Sequence, residues 1–227
     1  MAQQRRVSAD TWEMVFGVGY LLIGTNAMLV VATLPLLVLL VSTDPRSSWP
    51  ALALAAVLAT PALTAAFAVF QAYSQRRSTD VLRTFWRAWR RHLRRSLAVG
   101  GLVVGAAVII LVDISVLMGL RLGALVIPLL GVLALLAAAT GLLALVASVE
   151  RPDARLRDVL KASLYLGVRR WYLTLVSFAA LGLLGALFVE HPALAFGIAA
   201  TPLLYAAWGN SRFSLKPVLP HGAAVRT

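Results

Sequence analysis

The 227-residue sequence contains no cysteine. This absence excludes a disulfide scaffold, a thiolate metal site, a redox-active thiol pair and a cysteine nucleophile. Lys161 and Lys216 are the only lysines, and no glycine-rich loop ends in Gly-Lys-Ser or Gly-Lys-Thr, so the chain has no P-loop for ATP. His92, His191 and His221 lie far apart in sequence, which disfavours a zinc site or a hydrolytic dyad. We therefore expect that the protein is not an enzyme and has no catalytic residues, no bound metal and no cofactor.

Charged residues are also scarce, at 13%, whereas hydrophobic residues make up 60% of the chain. A soluble domain is nearer half apolar, and a membrane-spanning helix needs about 20 apolar residues. Six stretches approach that length, and the last of them is the shortest: 14–41, 49–73, 97–118, 124–149, 171–189 and 193–208. The sequence predicts an all-α membrane helical bundle of about six transmembrane helices, arranged as three hairpins.

The predicted organisation is a single integral membrane domain. It consists of an N-terminal segment, three hairpins separated by two basic amphipathic helices, and a tail, in the order 1–13, 14–73, 78–96, 97–149, 153–170, 171–208 and 209–227. Nineteen of the 21 Lys and Arg residues fall in the termini and the two long connections, and only Arg46 and Arg121 fall on the other side. The positive-inside rule then predicts that both termini are cytoplasmic.

The segment 80–97 has the pattern of an amphipathic helix. Its apolar residues recur at helical spacing on one face, and arginines occupy the other face. Such a helix is expected to lie among anionic lipid headgroups, or else to dock a partner protein; nucleic-acid binding is not expected. The candidate lipid or partner surface comprises Arg83, Trp86, Arg87, Trp89, Arg90, Arg91, Arg94 and Arg95.

Few polar residues lie inside the predicted spans. Asp113 is the only acidic one, and a carboxylate there either is a transport site or is paired or hydrated near the outer end of its span. Asn26, Thr60 and Thr64 complete the candidate intramembrane polar site, and their ordinary role is to bridge helices or to bond carbonyls freed by proline. Gly101-Leu-Val-Val-Gly105 has the small-residue spacing of close helix packing.

Two short segments are similar in sequence. Ala59-Thr-Pro-Ala-Leu-Thr-Ala-Ala-Phe67 in the second span resembles Ala200-Thr-Pro-Leu-Leu-Tyr-Ala-Ala-Trp208 in the sixth. The likeness favours three copies of a unit made of one basic helix and one hairpin. Ala-Thr-Pro also arises by chance in alanine-rich helices, so both interpretations stay open.

Three segments resemble the YesL-type integral membrane proteins of bacteria: Asn26-Ala-Met-Leu-Val-Val-Ala-Thr-Leu-Pro35, Pro61-Ala-Leu-Thr-Ala-Ala-Phe67, and the basic stretch Asp80-Val-Leu-Arg-Thr-Phe-Trp-Arg-Ala-Trp-Arg-Arg91. The sequence departs from that family in the extended loop Thr43-Asp-Pro-Arg-Ser-Ser-Trp49 between the first two spans. The resemblance implies a multi-pass protein of the bacterial cytoplasmic membrane. Because such proteins are often encoded beside carbohydrate ABC transporters, it also implies an accessory role with permease subunits as partners.

The sequence therefore supports two functional hypotheses. The first is a non-enzymatic accessory protein of a carbohydrate ABC transporter. The second is a small transporter or channel with its own path near Asp113 and Asn26.

Overall fold

The computed structural model describes residues 2–76, 80–191 and 194–215, and within these ranges the regular secondary structure is entirely helical. The prediction of an all-α helical bundle is confirmed. The helices are, in chain order, α1 (Ala2–Ser42), α2 (Trp49–Arg76), α3 (Val81–Leu117), α4 (Gly123–Glu150), α5 (Leu156–Arg169), α6 (Trp171–Glu190), a π-helical segment (Ala195–Ala199) and α7 (Ala200–Leu215).

Five helices in the described part are long and apolar enough to cross a membrane. They correspond to the first five predicted spans. The predicted sixth span, 193–208, differs because a π-helical segment comes first and α7 then continues to Leu215, beyond the predicted end of the span. The π-helical segment continues directly into α7, which alone has only 16 residues.

The basic segment 78–96 and the span 97–118 were predicted as separate helices, but α3 runs through both for 37 residues. No proline lies at the junction of the two segments, and the helix continues through it. At 1.5 Å per residue α3 is about 55 Å long, well beyond the roughly 30 Å hydrocarbon thickness of a bilayer. Likewise α1 continues through the predicted boundary at residue 14.

The predicted hairpin between the third and fourth spans is confirmed. Helix α3 ends at Leu117 and α4 begins at Gly123, so five residues make the turn. Gly119 has φ of +89°, a conformation that L side chains rarely adopt, so glycine suits this turn.

The core of the bundle forms around α2. Ala62, Ala65 and Ala66 are fully buried, and their small side chains let neighbouring helices approach closely. Further along α2, the Phe70 ring meets Tyr205 edge-on at 5.3 Å between centroids, which joins α2 to α7. Large apolar side chains are exposed around the outside of the bundle, as expected where lipid is the solvent.

Contacts between distant residues bring several basic connections together at one end of the bundle. Arg95 of α3 donates to the carbonyl of Pro152 at 2.8 Å, and Arg170 donates to the carbonyl of Phe213 at 2.9 Å. Arg212 lies 3.1 Å from the carboxylate of Glu150, whose side chain is only 6% exposed. We call this the basic end.

Candidate functional site

Asn26 of α1 is 3% exposed and makes its hydrogen bonds with the last helical region. Its amide nitrogen donates to the carbonyl of Gly197 at 2.9 Å. Its amide oxygen accepts from the backbone N–H of Thr201 at 2.9 Å and from the Thr201 hydroxyl at 2.6 Å. The Thr201 hydroxyl also lies 3.2 Å from the carbonyl of Leu22.

The position of this amide explains how the chain tolerates a π turn. In an uninterrupted α-helix the N–H of Thr201 would donate to the carbonyl of Gly197, four residues earlier. Asn26 lies between these two groups and satisfies both, while the N–H of Ala200 donates to Ala195 in the π pattern. A side chain of α1 thus substitutes for one backbone hydrogen bond of another helix.

A second buried polar cluster joins α2 to α3. The Thr60 hydroxyl donates to the carbonyl of Ser96 at 2.9 Å, and the Ser96 hydroxyl donates to Thr64 at 2.8 Å. Gly100, one turn beyond Ser96, lies so close to Thr60 that an added Cβ would be 2.5 Å from its hydroxyl oxygen. This cluster therefore depends on the absence of a side chain at Gly100.

The intramembrane polar residues singled out in the sequence do not form one site. Asn26 belongs to the α1–α7 cluster, while Thr60 and Thr64 belong to the α2–α3 cluster. Asp113 is exposed on the outer surface of α3 and belongs to neither. Thr201 is a further member of the α1–α7 cluster that the sequence candidates do not include. It precedes Pro202 as Thr60 precedes Pro61, and this likeness is the signal in the sequence that points to it.

Most of the predicted lipid or partner surface on α3 is exposed. The indole rings of Trp86 and Trp89 stack 5.1 Å apart at an interplanar angle of 4°, and the Arg90 guanidinium lies 4.8 Å from the Trp86 ring centroid. The exposed members are Arg83, Trp86, Arg87, Arg90, Arg91 and Arg94, and Trp89 is partly exposed.

Arg95 is placed differently from the other arginines of this surface. It is half-buried, and one guanidinium nitrogen donates to the loop carbonyls of Pro152 and Arg151. Its Nε and Nη2 atoms are buried, with no hydrogen-bond partner in the described part of the chain. Arg95 therefore links α3 to the α4–α5 connection.

The packing motif of α3 faces open space. A Cβ added at Gly101 or at Gly105 would meet nothing within 4 Å, whereas one at Gly141 of α4 would lie 2.5 Å from Val103. Close packing inside the described chain thus uses Gly100 and Gly141, and leaves Gly101 and Gly105 on the surface.

An apolar groove of about 560 Å³ lies beside this glycine face, in the half of the bundle away from the basic end. Helices α1, α2 and α3 line it with aliphatic, small and aromatic side chains. They include Leu36, Leu40, Trp49, Ala56, Val104 and Val108.

The described residues include no group of three or more His, Asp or Glu side chains that could hold a metal ion. Both buried polar clusters have their hydroxyl and amide groups turned to protein partners. The groove with its glycine face, and the basic end, are by contrast open at the surface.

A family model described as a protein of unknown function, DUF624, matches residues 22–114 of the chain. The matched part runs from the second half of α1 through α2 and most of α3. No curated protein and no solved structure matches the chain significantly. The chain is thus a membrane-spanning helical protein, part of which is similar to the DUF624 family.

Proposed function

We propose that this chain is a YesL-type protein that acts by binding another membrane protein, not by catalysing a reaction. The proposed partner is a permease subunit of a bacterial carbohydrate ABC transporter. The family match supports the first part of this proposal because it covers 22–114, where all three segments that resemble YesL-type proteins lie. The choice of a permease as the partner rests on the accessory role that the resemblance to YesL-type proteins implies.

The observation that carries the proposal is the open face of α3. A Cβ added at Gly101 or at Gly105 would meet nothing within 4 Å, so no helix of the described chain packs closely over them. In lipid there is little hydrophobic gain from helix association, and close backbone approach over small residues supplies much of the attraction. Because Val104 and Val108 lie three and seven residues after Gly101, the glycine face and the groove form one continuous surface on α3.

The proposed orientation places the basic end in the cytoplasm, in the bacterial inner membrane, with both termini on that side. The contacts of Arg95, Arg170 and Arg212 support this, because they gather the arginine-rich connections at one end of the bundle. Arginine-rich connections of membrane proteins are retained on the cytoplasmic side.

The test is a pulldown of the tagged protein from its native membrane in mild detergent, followed by mass spectrometry of the retained chains. An unrelated six-span protein controls for non-specific recovery. Specific recovery of permease subunits is expected from the unaltered protein. Recovery of the tagged chain alone would contradict the proposal.

A pair of variants tests the surface itself. Leucine at both Gly101 and Gly105 fills the glycine face and should reduce permease recovery severalfold, since a helix can no longer approach closely. Leucine at both Gly182 and Gly185 of α6 is the matched control, because these exposed glycines also meet nothing within 4 Å. Equal recovery from the two double variants would place the partner elsewhere.

A second candidate function is that of a small transporter or channel. The π-helical segment favours it, because Asn26 bonds the Gly197 carbonyl and the Thr201 N–H in place of their backbone hydrogen bond. Helices broken at membrane depth and satisfied by polar side chains are typical of transport sites. The purified protein in vesicles, followed with an enclosed pH-sensitive dye, should then pass protons without a partner. Loss of that flux in a folded Asp113→Asn variant would support this candidate, and unchanged flux would exclude Asp113 from the path.

A further inference from the structure

A second cavity, of about 250 Å³, lies at the basic end between α2, α3 and the end of α4. Its α2 wall contains Gln71, Gln75 and Arg76. The α3 wall contains Thr84, Arg87, Arg91 and His92, and Val149 and Pro152 close the third side. The cavity is much more polar than the apolar groove, and it uses other faces of the same helices.

The charge in this cavity has one sign. Arg87 and Arg91 are one turn apart on α3, and Arg76 comes from the last turn of α2. None of the described residues that line the cavity is acidic. Glu150, the acid next to Val149 in the chain, is already paired with Arg212 at 3.1 Å. Three arginines therefore face a small space without a carboxylate among its lining residues.

The remaining polar groups add donors of the same kind. His92 is only 8% exposed and lines the cavity, so its imidazole meets solvent mainly through this space. Glutamine amides and a threonine hydroxyl donate hydrogen bonds, and arginine presents a planar fork that matches the oxygens of a phosphoryl group. The chemistry of the lining favours a compact oxyanion such as a phosphoryl group.

The size of the cavity limits the ligand. At about 250 Å³ the cavity is close to the lower limit of pockets that enclose drug-sized molecules, about 300 Å³, so it has room for a phosphoryl group and the atoms attached to it. Its position, beside the point where α3 changes from basic to wholly apolar, also puts it at the level where lipid headgroups would lie.

We propose that Arg76, Arg87, Arg91 and His92, with the two glutamines, form a binding site for a phosphoryl group at the basic end of the bundle. The group belongs either to an anionic phospholipid headgroup or to a small soluble phosphate compound. The site does not depend on the proposed permease partner, because it lies in the opposite half of α3 from the glycine face.

The test uses the purified full-length protein in neutral detergent, with two probes. Inorganic phosphate is titrated while thermal unfolding is followed by tryptophan fluorescence. In parallel, native mass spectrometry compares retention of phosphatidylglycerol with that of phosphatidylcholine. Stabilisation by phosphate identifies a site open to soluble ligands. Selective retention of phosphatidylglycerol without an effect of phosphate identifies a headgroup site, and either result supports the proposal.

Two double variants separate the cavity from the general charge of α3. The double variant Arg87→Gln/Arg91→Gln should weaken binding about 25-fold, since each arginine near an anionic group contributes about fivefold. Glutamine at both Arg83 and Arg94 removes the same charge from exposed positions outside this cavity, and it should change binding much less.

The double variant Arg87→Lys/Arg91→Lys keeps the charge and removes the forked geometry, so an intermediate loss of binding is expected. Circular dichroism confirms that each variant is folded. Equal losses in the two glutamine variants would mean that only the overall charge matters and would overturn the proposal, as would the absence of binding to both probes.

Discussion

Replacing Asn26 by leucine is the sharpest test of how the last helical region is held. The variant removes the amide that lies between the Gly197 carbonyl and the Thr201 N–H, and it leaves both backbone groups without their partner. A buried polar group left unpaired costs about 1–3 kcal/mol, so two such groups set an upper range of about 2–6 kcal/mol. If the helix re-forms a regular turn at this point, it recovers one net hydrogen bond, worth about 1 kcal/mol.

The expected loss of unfolding free energy is therefore about 1–5 kcal/mol. Reversible unfolding in mixed micelles, with increasing SDS and tryptophan fluorescence as the signal, measures it. Thr201→Val removes only the hydroxyl bonds and keeps the backbone N–H bonded to Asn26, so it should cost about 0.6 kcal/mol, the mean for side-chain hydrogen bonds within membranes.

Thr25 supplies the matched control because it precedes Asn26, is fully buried, and has a hydroxyl with no hydrogen-bond partner in the described part of the chain. Removing an unpaired hydroxyl at constant shape relieves a desolvation cost. Thr25→Val should thus be as stable as the unaltered protein or slightly more stable. The reasoning is refuted if Asn26→Leu keeps the original stability, or if Thr25→Val loses as much.

Two further predictions concern packing and charge. Gly100→Ala should destabilise the protein, because the new Cβ would lie 2.5 Å from the Thr60 hydroxyl oxygen. The Cβ of Gly101→Ala would meet nothing within 4 Å, so this variant should gain about 0.5–1 kcal/mol of stability from helix propensity. The same unfolding assay compares the two variants, and equal effects would contradict the described packing. Arg212→Gln removes the ion-pair partner of the nearly buried Glu150 carboxylate and should lower the free energy of unfolding by about 1–3 kcal/mol. Thermal unfolding in detergent measures this loss, and an unchanged midpoint would show that the ion pair does not stabilise the fold.

Local pattern was sufficient to predict the helices and the main turn. Long apolar runs and the glycine-bounded connection at residues 119–123 depend only on neighbouring residues, so hydropathy locates them. The continuity of α3 was missed because a change from amphipathic to wholly apolar sequence alters which face is buried without breaking any backbone hydrogen bond.

The candidate sites depend on contacts that local pattern does not contain. Asn26 and Thr201 are 175 residues apart, and no periodicity relates the amide of one helix to a π turn in another. Similarly, the sequence identified Arg87 and Arg91 as part of a basic face, but the cavity exists only because α2 brings Arg76 beside them. Arg95 has the same spacing as its exposed neighbours, and only the folded loop at Pro152 makes it a structural contact.

The two candidate surfaces share the same pair of helices. The groove uses α2 near its start and α3 in its second half, while the basic cavity uses the end of α2 and the first half of α3. The Thr60–Ser96–Thr64 cluster locks these helices together between the two surfaces. The match to DUF624 ends within α3, so it contains both helices of this pair almost completely. The α2 and α3 walls of both surfaces therefore lie within the matched part of the chain, and the Asn26 amide of α1 bonds to α7 and to the π-helical segment before it.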